Sequence, residues 1–518
     1  MSRLLRSGAV ISAMTMISRV LGLIRDVIVA RYFPVDGATD AFFVAFKIPN
    51  LLRRFFAEGA FSLAFVPVLA EYKEKQSREA LRDLIDHVAG TLGLILLMIT
   101  TIGMLAAPWL VPVFAPGFVA KPDARPDLAA EMLRITFPYI LFISLAGLVG
   151  GILNTFGKFA IPAITPALLN VVMIGFAVWG APYFEQPIMA LAWGVFVAGV
   201  VQFLFQLPAL VRLGLLPRFR FKQVHGGVSR VMRLMVPALF GSSVAQLNLV
   251  INTVIASFLA VGSISWLYYS DRFVELPLAI FGVALGTVIL PKLSSDHAKA
   301  DGVQFRQTMD WALRLALLIS IPATLGLMLL AKPILAAVMM YGAFKWGDVE
   351  MSALSLMTYS FGLPAFILVK VLAPGFYSRQ DTRTPVKIGM ISIFANMGLN
   401  VLIVLPWFWL GISGAHAGLA LATALAGYVN AGLLFRTLQR EGIFVAGQGW
   451  GKHVARIVLA SMVMGGLVWL ATPAAAWWQV AGSALRLSVL AGLIVLALGS
   501  YFLTLRLTGM QLRQMLGR

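Results

Sequence analysis

The sequence predicts an all-α, polytopic membrane protein of about fourteen transmembrane helices. They form two six-helix lobes related by a pseudo-two-fold axis along the membrane normal, with two further helices after them. Three observations lead there. Hydrophobic residues make up 60% of the chain and charged residues only 12%, with a mean hydropathy of +0.88, the composition of a chain dissolved in lipid. Apolar runs bounded by Gly, Pro and charge recur throughout at membrane-spanning length. Basic residues concentrate in every second loop, the asymmetry that orients membrane proteins.

The spans fall near 8–33, 39–69, 86–114, 130–155, 161–182 and 187–211, then 234–261, 265–291, 307–330, 351–377, 386–407 and 411–435, and finally 454–472 and 484–507. The stretch 331–350 is ambiguous: it either extends the ninth helix or lies in the interface. The first span has no small-residue cleavage site and reads as a retained helix. Of the 41 basic residues, 26 lie in one set of loops and termini. Arg31, Lys121, Arg125, Arg134, Lys332, Lys345 and Arg486 form the opposite set. Fourteen helices with both termini cytoplasmic put the larger set inside. This explains the net charge of +19 without nucleic acid.

An internal repeat supports the two lobes. Pro108/Pro333 and Gly117/Gly342 share one offset, and Leu191/Leu419 and Gly199/Gly427 share nearly the same one. Val27–Ala30 resembles Thr253–Ala256. A duplication of six helices preserves orientation, so the axis lies along the membrane normal and a substrate site is expected between the halves. The expected divisions are 1–222 (first lobe and cytoplasmic linker), 223–445 (second lobe) and 446–518 (last two helices and C-terminus).

Charge inside the spans marks the site. The stretch Ser18–Glu58 carries Arg19, Arg25, Asp26, Asp40, Lys47, Arg53, Arg54 and Glu58. A charge at the bilayer centre costs roughly 2.5–3.5 kcal/mol, so these groups should face water or one another. At about 100° per residue, Asp40, Lys47, Arg54 and Glu58 fall within about 40° of one another and span about 27 Å of helix axis. Arg53 projects away from that stripe, and Pro49 bends the helix. The eighth span carries Asp271, Arg272 and Glu275, the last two spaced to pair on one face; the tenth carries Lys370. Arg314 snorkels near a helix end. The excess of Arg19, Arg25, Lys47, Arg53, Arg54, Arg272 and Lys370 over Asp26, Asp40, Glu58 and Glu275 points to an anionic substrate. A guanidinium stays charged in a low dielectric and matches phosphate or carboxylate oxygens in pairs. The carboxylates then hold the cations in place or exchange partners during gating.

Other chemistry is missing from the sequence. There is no cysteine, hence no disulfide or thiolate site. Gly157-Lys158 and Gly451-Lys452 lack the rest of a phosphate loop, and no H-E-x-x-H or G-x-S-x-G occurs. No soluble segment can hold a catalytic domain. An enzyme is not expected, nor a cofactor or metal. Any coupling is to the membrane potential, a monovalent cation or the substrate's own gradient.

Three motifs carry a resemblance. They are Ser18-Arg-Val-Leu-Gly-Leu-Ile-Arg-Asp26, Ala38-Thr-Asp-Ala-Phe-Phe-Val-Ala-Phe-Lys47, and Pro49-Asn-Leu-Leu-Arg-Arg-Phe-Phe-Ala-Glu-Gly-Ala-Phe61. With Tyr268–Glu275 and Lys370–Asp381, they closely resemble the MurJ (MviN) family of bacterial lipid II flippases. The resemblance covers essentially the whole chain and shows no departure at the charged positions. It implies the multidrug/oligosaccharidyl-lipid/polysaccharide exporter fold around a central cationic cavity, with a groove for a polyprenyl tail formed by the last two helices. It implies transport of undecaprenyl-diphosphate-linked disaccharide-peptide from the cytoplasmic to the periplasmic leaflet of the inner membrane by alternating access. Arg19, Arg25, Arg53 and Arg272 would contact or steer the headgroup; Asp40, Glu58 and Glu275 would serve gating or positioning. Cell-wall synthesis proteins are the partners such a role brings near. The alternatives are a flippase for another polyprenyl-linked glycan and a drug/cation antiporter of the same fold.

Overall fold

A computed structural model describes residues 2–54, 60–220, 226–299, 301–445 and 447–510. Helices dominate it, and the chain packs as two units, Met1–Ile264 and Ser265–Arg518.

In the first unit the helices are α1 (Ser2–Tyr32), α2 (Gly37–Arg53), α3 (Ala60–Lys75), α4 (Arg78–Phe114), α5 (Pro126–Thr136), α6 (Tyr139–Thr155), α7 (Ala160–Gly175), α8 (Met189–Arg212) and α9 (Gly226–Phe258). Their starts follow local chemistry. Asp36 caps α2, its Oδ1 accepting from the amides of Ala38 and Thr39 at 3.0 Å each, which satisfies orphan donors of the first turn. Ser77 does the same for α4 through Ala80. Pro126 stands at the first position of α5, where its missing N–H costs nothing. The helices α1 and α7, α6 and α8, and α3 and α9 pack in pairs. Phe42 and Phe46 stack with ring centroids 5.8 Å apart in the apolar face of α2.

Two close approaches fix the ends of this unit. The segment after α8 runs over the start of α4 as a strap. Arg218 N donates to Asp86 Oδ1 at 2.8 Å, Arg78 Nη2 donates to Leu213 O at 3.0 Å, and Arg220 Nη1 lies 3.4 Å from Asp83 Oδ1. A Cβ on Gly90 would stand 2.3 Å from Arg220 O, so only glycine admits the strap there. At the other end, Gly117 lies so close to the end of α9 that a Cβ would stand 2.3 Å from Ser257 O. Its amide donates to Ser257 Oγ at 3.0 Å. Lys121 Nζ donates to the carbonyls of Ser257, Phe258 and Leu259, placing a cation on the negative end of that helix. Burial lowers the Lys121 pKa, an effect the nearby Asp40 carboxylate opposes.

The second unit contains α10 (Ser263–Pro277), α11 (Ala284–Ala298), α12 (Gly302–Leu329), α13 (Ala331–Val338), α14 (Trp346–Phe361), α15 (Leu363–Tyr377), α16 (Arg383–Trp409), α17 (His416–Arg440), α18 (Trp450–Ala471), α19 (Ala475–Val480) and α20 (Ser483–Leu507). A π-helical turn, Leu278–Val283, joins α10 to α11 directly after Pro277, whose ring removes a helical hydrogen bond. The helices α16 and α17, α18 and α20, and α12 and α15 pack closely. The ambiguous stretch 331–350 resolves as the short α13, a turn with Gly342 at φ 61°, and the start of α14. Arg486 of α20 is buried and donates to the carbonyls of Ala336, Met340 and Gln479 at 3.2–3.4 Å, pinning α20 to the end of α13 and to α19.

Among the described residues, ten helices or helix pairs are long and apolar enough to cross a membrane. They coincide with the predicted third to sixth and ninth to fourteenth spans. The described residues of the predicted first, second, seventh and eighth spans are also largely helical. The first, second and eighth carry most of the intramembrane charge. In the seventh, Gln246–Phe258 is a shorter apolar helix. The full count of fourteen is thus not established by length and composition alone.

Candidate functional site

On α1 the two arginines have different surroundings. Arg19 is exposed. Arg25 is 5% exposed and Asp26 2%. Nε and Nη2 of Arg25 donate to Asp26 Oδ1 at 2.9 and 2.7 Å, and Nη1 donates to Asn170 Oδ1 of α7 at 3.0 Å. Asn170 Nδ2 in turn donates to Ser18 O at 3.0 Å. Asn170 therefore clamps α1 and orients the fork of Arg25. A charge-assisted contact of this kind, out of water, is stronger than a neutral one.

Asp40, Lys47 and Arg54 of the predicted polar stripe run along α9. At one end Asp40, 3% exposed, accepts from Gly262 N at 2.7 Å, just beyond α9. In the middle, Lys47 lines a narrow gap with Leu51 of α2, Phe114 of α4, and Leu249 and Thr253 of α9. At the other end Arg54 Nη1 donates to Gln246 Oε1 of α9 at 3.0 Å. Arg53 projects elsewhere and its Nε donates to Asn50 Oδ1 at 2.9 Å. Arg54 thus bridges α2 to α9, two helices whose backbones do not pack tightly among the described residues. Glu58, the expected end of the stripe, lies outside the described residues.

In the second unit Arg272 and Glu275 pair on one face of α10, Nη1 to Oε2 at 2.8 Å. Arg272 Nη2 also donates to Tyr268 Oη at 3.0 Å, and the guanidinium lies 4.7 Å from the Tyr268 ring centroid, a cation–π contact that fixes its plane. Asp271 is half-buried. Lys370 of α15 is exposed, and its stem passes over the π turn, where a Cβ on Gly282 would lie 3.5 Å from Lys370 Cγ.

The structure therefore gathers Arg25 with Asp26, and Asp40, Lys47 and Arg54 along α9, in the first unit; it gathers Arg272 with Glu275 in the second. Asn170, Gln246 and Lys121 belong to the same constellation. A search restricted to charged residues inside spans passes over the two amides, although a lone Asn in the apolar run of α7 is the available signal. The arrangement offers fixed hydrogen-bond donors of positive charge. Among the described residues no group of three His, Asp or Glu side chains could hold a metal ion.

Comparisons with known proteins agree on one family. The family model described as "Lipid II flippase MurJ" matches residues 29–489. A probable lipid II flippase MurJ of Vibrio cholerae is 47% identical, covering 99% of this chain and 98% of its own length. The lipid II flippase MurJ of Burkholderia cenocepacia is 43% identical, covering 96% of each chain. Among solved structures, a lipid II flippase MurJ in an inward closed conformation superposes with a TM-score of 0.79 at 28% identity, covering 96% of this chain and 98% of that one. An inward-facing multidrug transporter of the MATE family, at TM-score 0.67 and 15% identity, covers 84% of this chain and shares the fold. With a family model spanning most of its length and relatives alike from end to end, the chain belongs to the MurJ family of lipid II flippases.

Proposed function

We propose that this protein moves lipid II, the undecaprenyl-diphosphate-linked precursor of peptidoglycan, across the bacterial inner membrane. The observation that carries the reading is the end-to-end relatedness to lipid II flippases; it is a transporter and catalyses no bond-making step. The physical logic agrees. A diphosphate headgroup cannot cross hydrocarbon unaided, whereas its polyprenyl tail can stay in lipid. An inside-negative potential adds about 2.3 kcal/mol per charge per 100 mV in favour of outward movement of an anion.

In this reading two six-helix lobes, with both termini cytoplasmic, alternate access to a cationic cavity, and the last two helices guide the tail. Arg19, already exposed, steers the headgroup. Arg25 is held ready by Asp26 and Asn170 and contacts the diphosphate by exchanging one of these partners. Lys47, Arg53, Arg54, Arg272 and Lys370 supply further positive charge. Asp26, Asp40, Glu58 and Glu275 position cations or gate. The bond of Asp40 to Gly262 N supports a gating role, because it joins the start of α2 to the turn that follows α9. The test is acute inactivation of the protein while lipid II exposed in the outer leaflet is followed. The reading expects that supply to stop; an unchanged supply removes it.

A further inference from the structure

A second cationic site lies in the second unit, apart from every residue given a substrate or gating role above. A cavity of ≈ 400 Å³ opens between the first turns of α12 and the segment joining α17 to α18, lined by Val303, Arg306, Asp310, Trp311, Arg314 and Val445. The described residues of its wall are held by contacts of their own. Phe444 is 1% exposed and packs on Phe435 at 5.5 Å, and Gly442 and Gly449 take left-handed φ of 67° and 83° at the two bends. Asp310, the one carboxylate of the lining, is occupied by the scaffold. Oδ2 accepts from Arg314 Nε at 2.7 Å, and Oδ1 accepts from Trp450 Nε1 at 2.6 Å and Gly447 N at 3.3 Å.

Arg314 is fixed as well. Its Nη2 donates to Gln448 O at 3.0 Å and its guanidinium lies 4.9 Å from the Trp450 ring centroid. Arg306, two turns earlier on α12, is exposed and makes no hydrogen bond or ion pair among the described residues. The cavity thus presents a net positive charge with open donors. Its rim is apolar, with Val303 66% and Val445 61% exposed, and α18 beside it presents Val458 and Met462 outward. Phosphate-binding donors, flanking tryptophans and an apolar run below them are the sequence of environments a phospholipid meets at a membrane interface.

We infer that this cavity binds the phosphate headgroup of an anionic glycerophospholipid, on the side of the membrane that carries most of the basic loops. The acyl chains then run along α12 and α18. The test uses the full chain purified in detergent and native mass spectrometry, titrated separately with phosphatidylglycerol, phosphatidylcholine, inorganic phosphate and undecaprenyl diphosphate. Arg306→Gln is expected to weaken phosphatidylglycerol binding about five- to tenfold, Arg306→Lys to retain it, and Lys387→Gln, an exposed cation elsewhere, to leave it unchanged. Because Arg306 is exposed and makes no bond among the described residues, the variants should melt as the parent does. Equal binding of phosphatidylcholine, or equal weakening by Lys387→Gln, would overturn the site as a specific one. Phosphatidylglycerol binding unaltered in Arg306→Gln overturns it too. If that variant loses only undecaprenyl diphosphate, the cavity belongs to the transported substrate and the inference fails. Displacement by inorganic phosphate supports headgroup recognition.

Discussion

Whether Arg25 acts on substrate or merely closes a buried ion pair can be decided by removing the pair as a unit. Arg25→Ala deletes the two bonds to Asp26 and the one to Asn170, and leaves a carboxylate that is 2% exposed. Breaking a buried pair by removing one partner costs about 3–5 kcal/mol, largely because the other charge stays buried. Loss of transport in Arg25→Ala alone therefore says little. In Arg25→Ala/Asp26→Asn that buried charge is gone. The remaining cost is that of neutral hydrogen bonds, about 0.5–1.5 kcal/mol each. Thermal unfolding in detergent should show the double variant recovering more than half of the stability lost by the single one. Outer-leaflet lipid II in a depletion strain should show no recovery at all. A double variant that supports transport at the parental rate refutes the reasoning, since the pair would then be only a structural bond between α1 and α7.

Three further outcomes follow from the same geometry. Asp40→Asn weakens the bond to Gly262 N by about 1 kcal/mol, the difference between charged and neutral acceptors; because the chain lacks cysteine, a single Val261→Cys probe reports this as faster alkylation in the Asp40→Asn background. The lowered pKa of Lys121 means that the unfolded chain holds this proton more tightly than the folded one. Stability should therefore rise with pH between the lowered value and 10.5, and this slope should vanish in Lys121→Met, as read from denaturant unfolding in detergent. Gly90→Ala puts a methyl 2.3 Å from Arg220 O and should lift the strap, freeing the backbone at Arg218 and Arg220 for faster cleavage by trypsin; Gly226→Ala, where a methyl meets nothing within 4 Å, should not.

Apolar periodicity made the helical class and the placement of the spans legible, because lipid leaves a chain few options. The stripe of α2 was legible for a related reason. A fixed angle per residue puts Asp40, Lys47 and Arg54 on one face, and that face is the one joined to α9. The partner was not legible, since it stands about 200 residues away and contributes an amide side chain and a backbone N–H. Backbone groups leave no trace in composition. Arg25 shows the same limit. Its charge inside a span announced a function or a partner, but only the fold could show Asn170 reaching back to Ser18 O. The break at 331–350 could not be read because Lys332-Pro333 fits both a helix start and an interface. The structure resolves it through Leu330 at φ −95° and ψ 12°, which ends α12.

Arg486 and Lys121 both belong to the sparse set of basic residues that the sequence pattern predicts opposite the basic loops, and both spend that charge on the carbonyl ends of helices. Membrane insertion reads an unfolded chain, in which these two cations count against the prevailing orientation. Folding then withdraws them from that tally by seating each on a helix terminus of opposite polarity. Exchanging either for a neutral residue should accordingly leave topology intact, or even reinforce it, while loosening the finished bundle, so that a defect there will surface as poor yield after insertion rather than as an inverted protein.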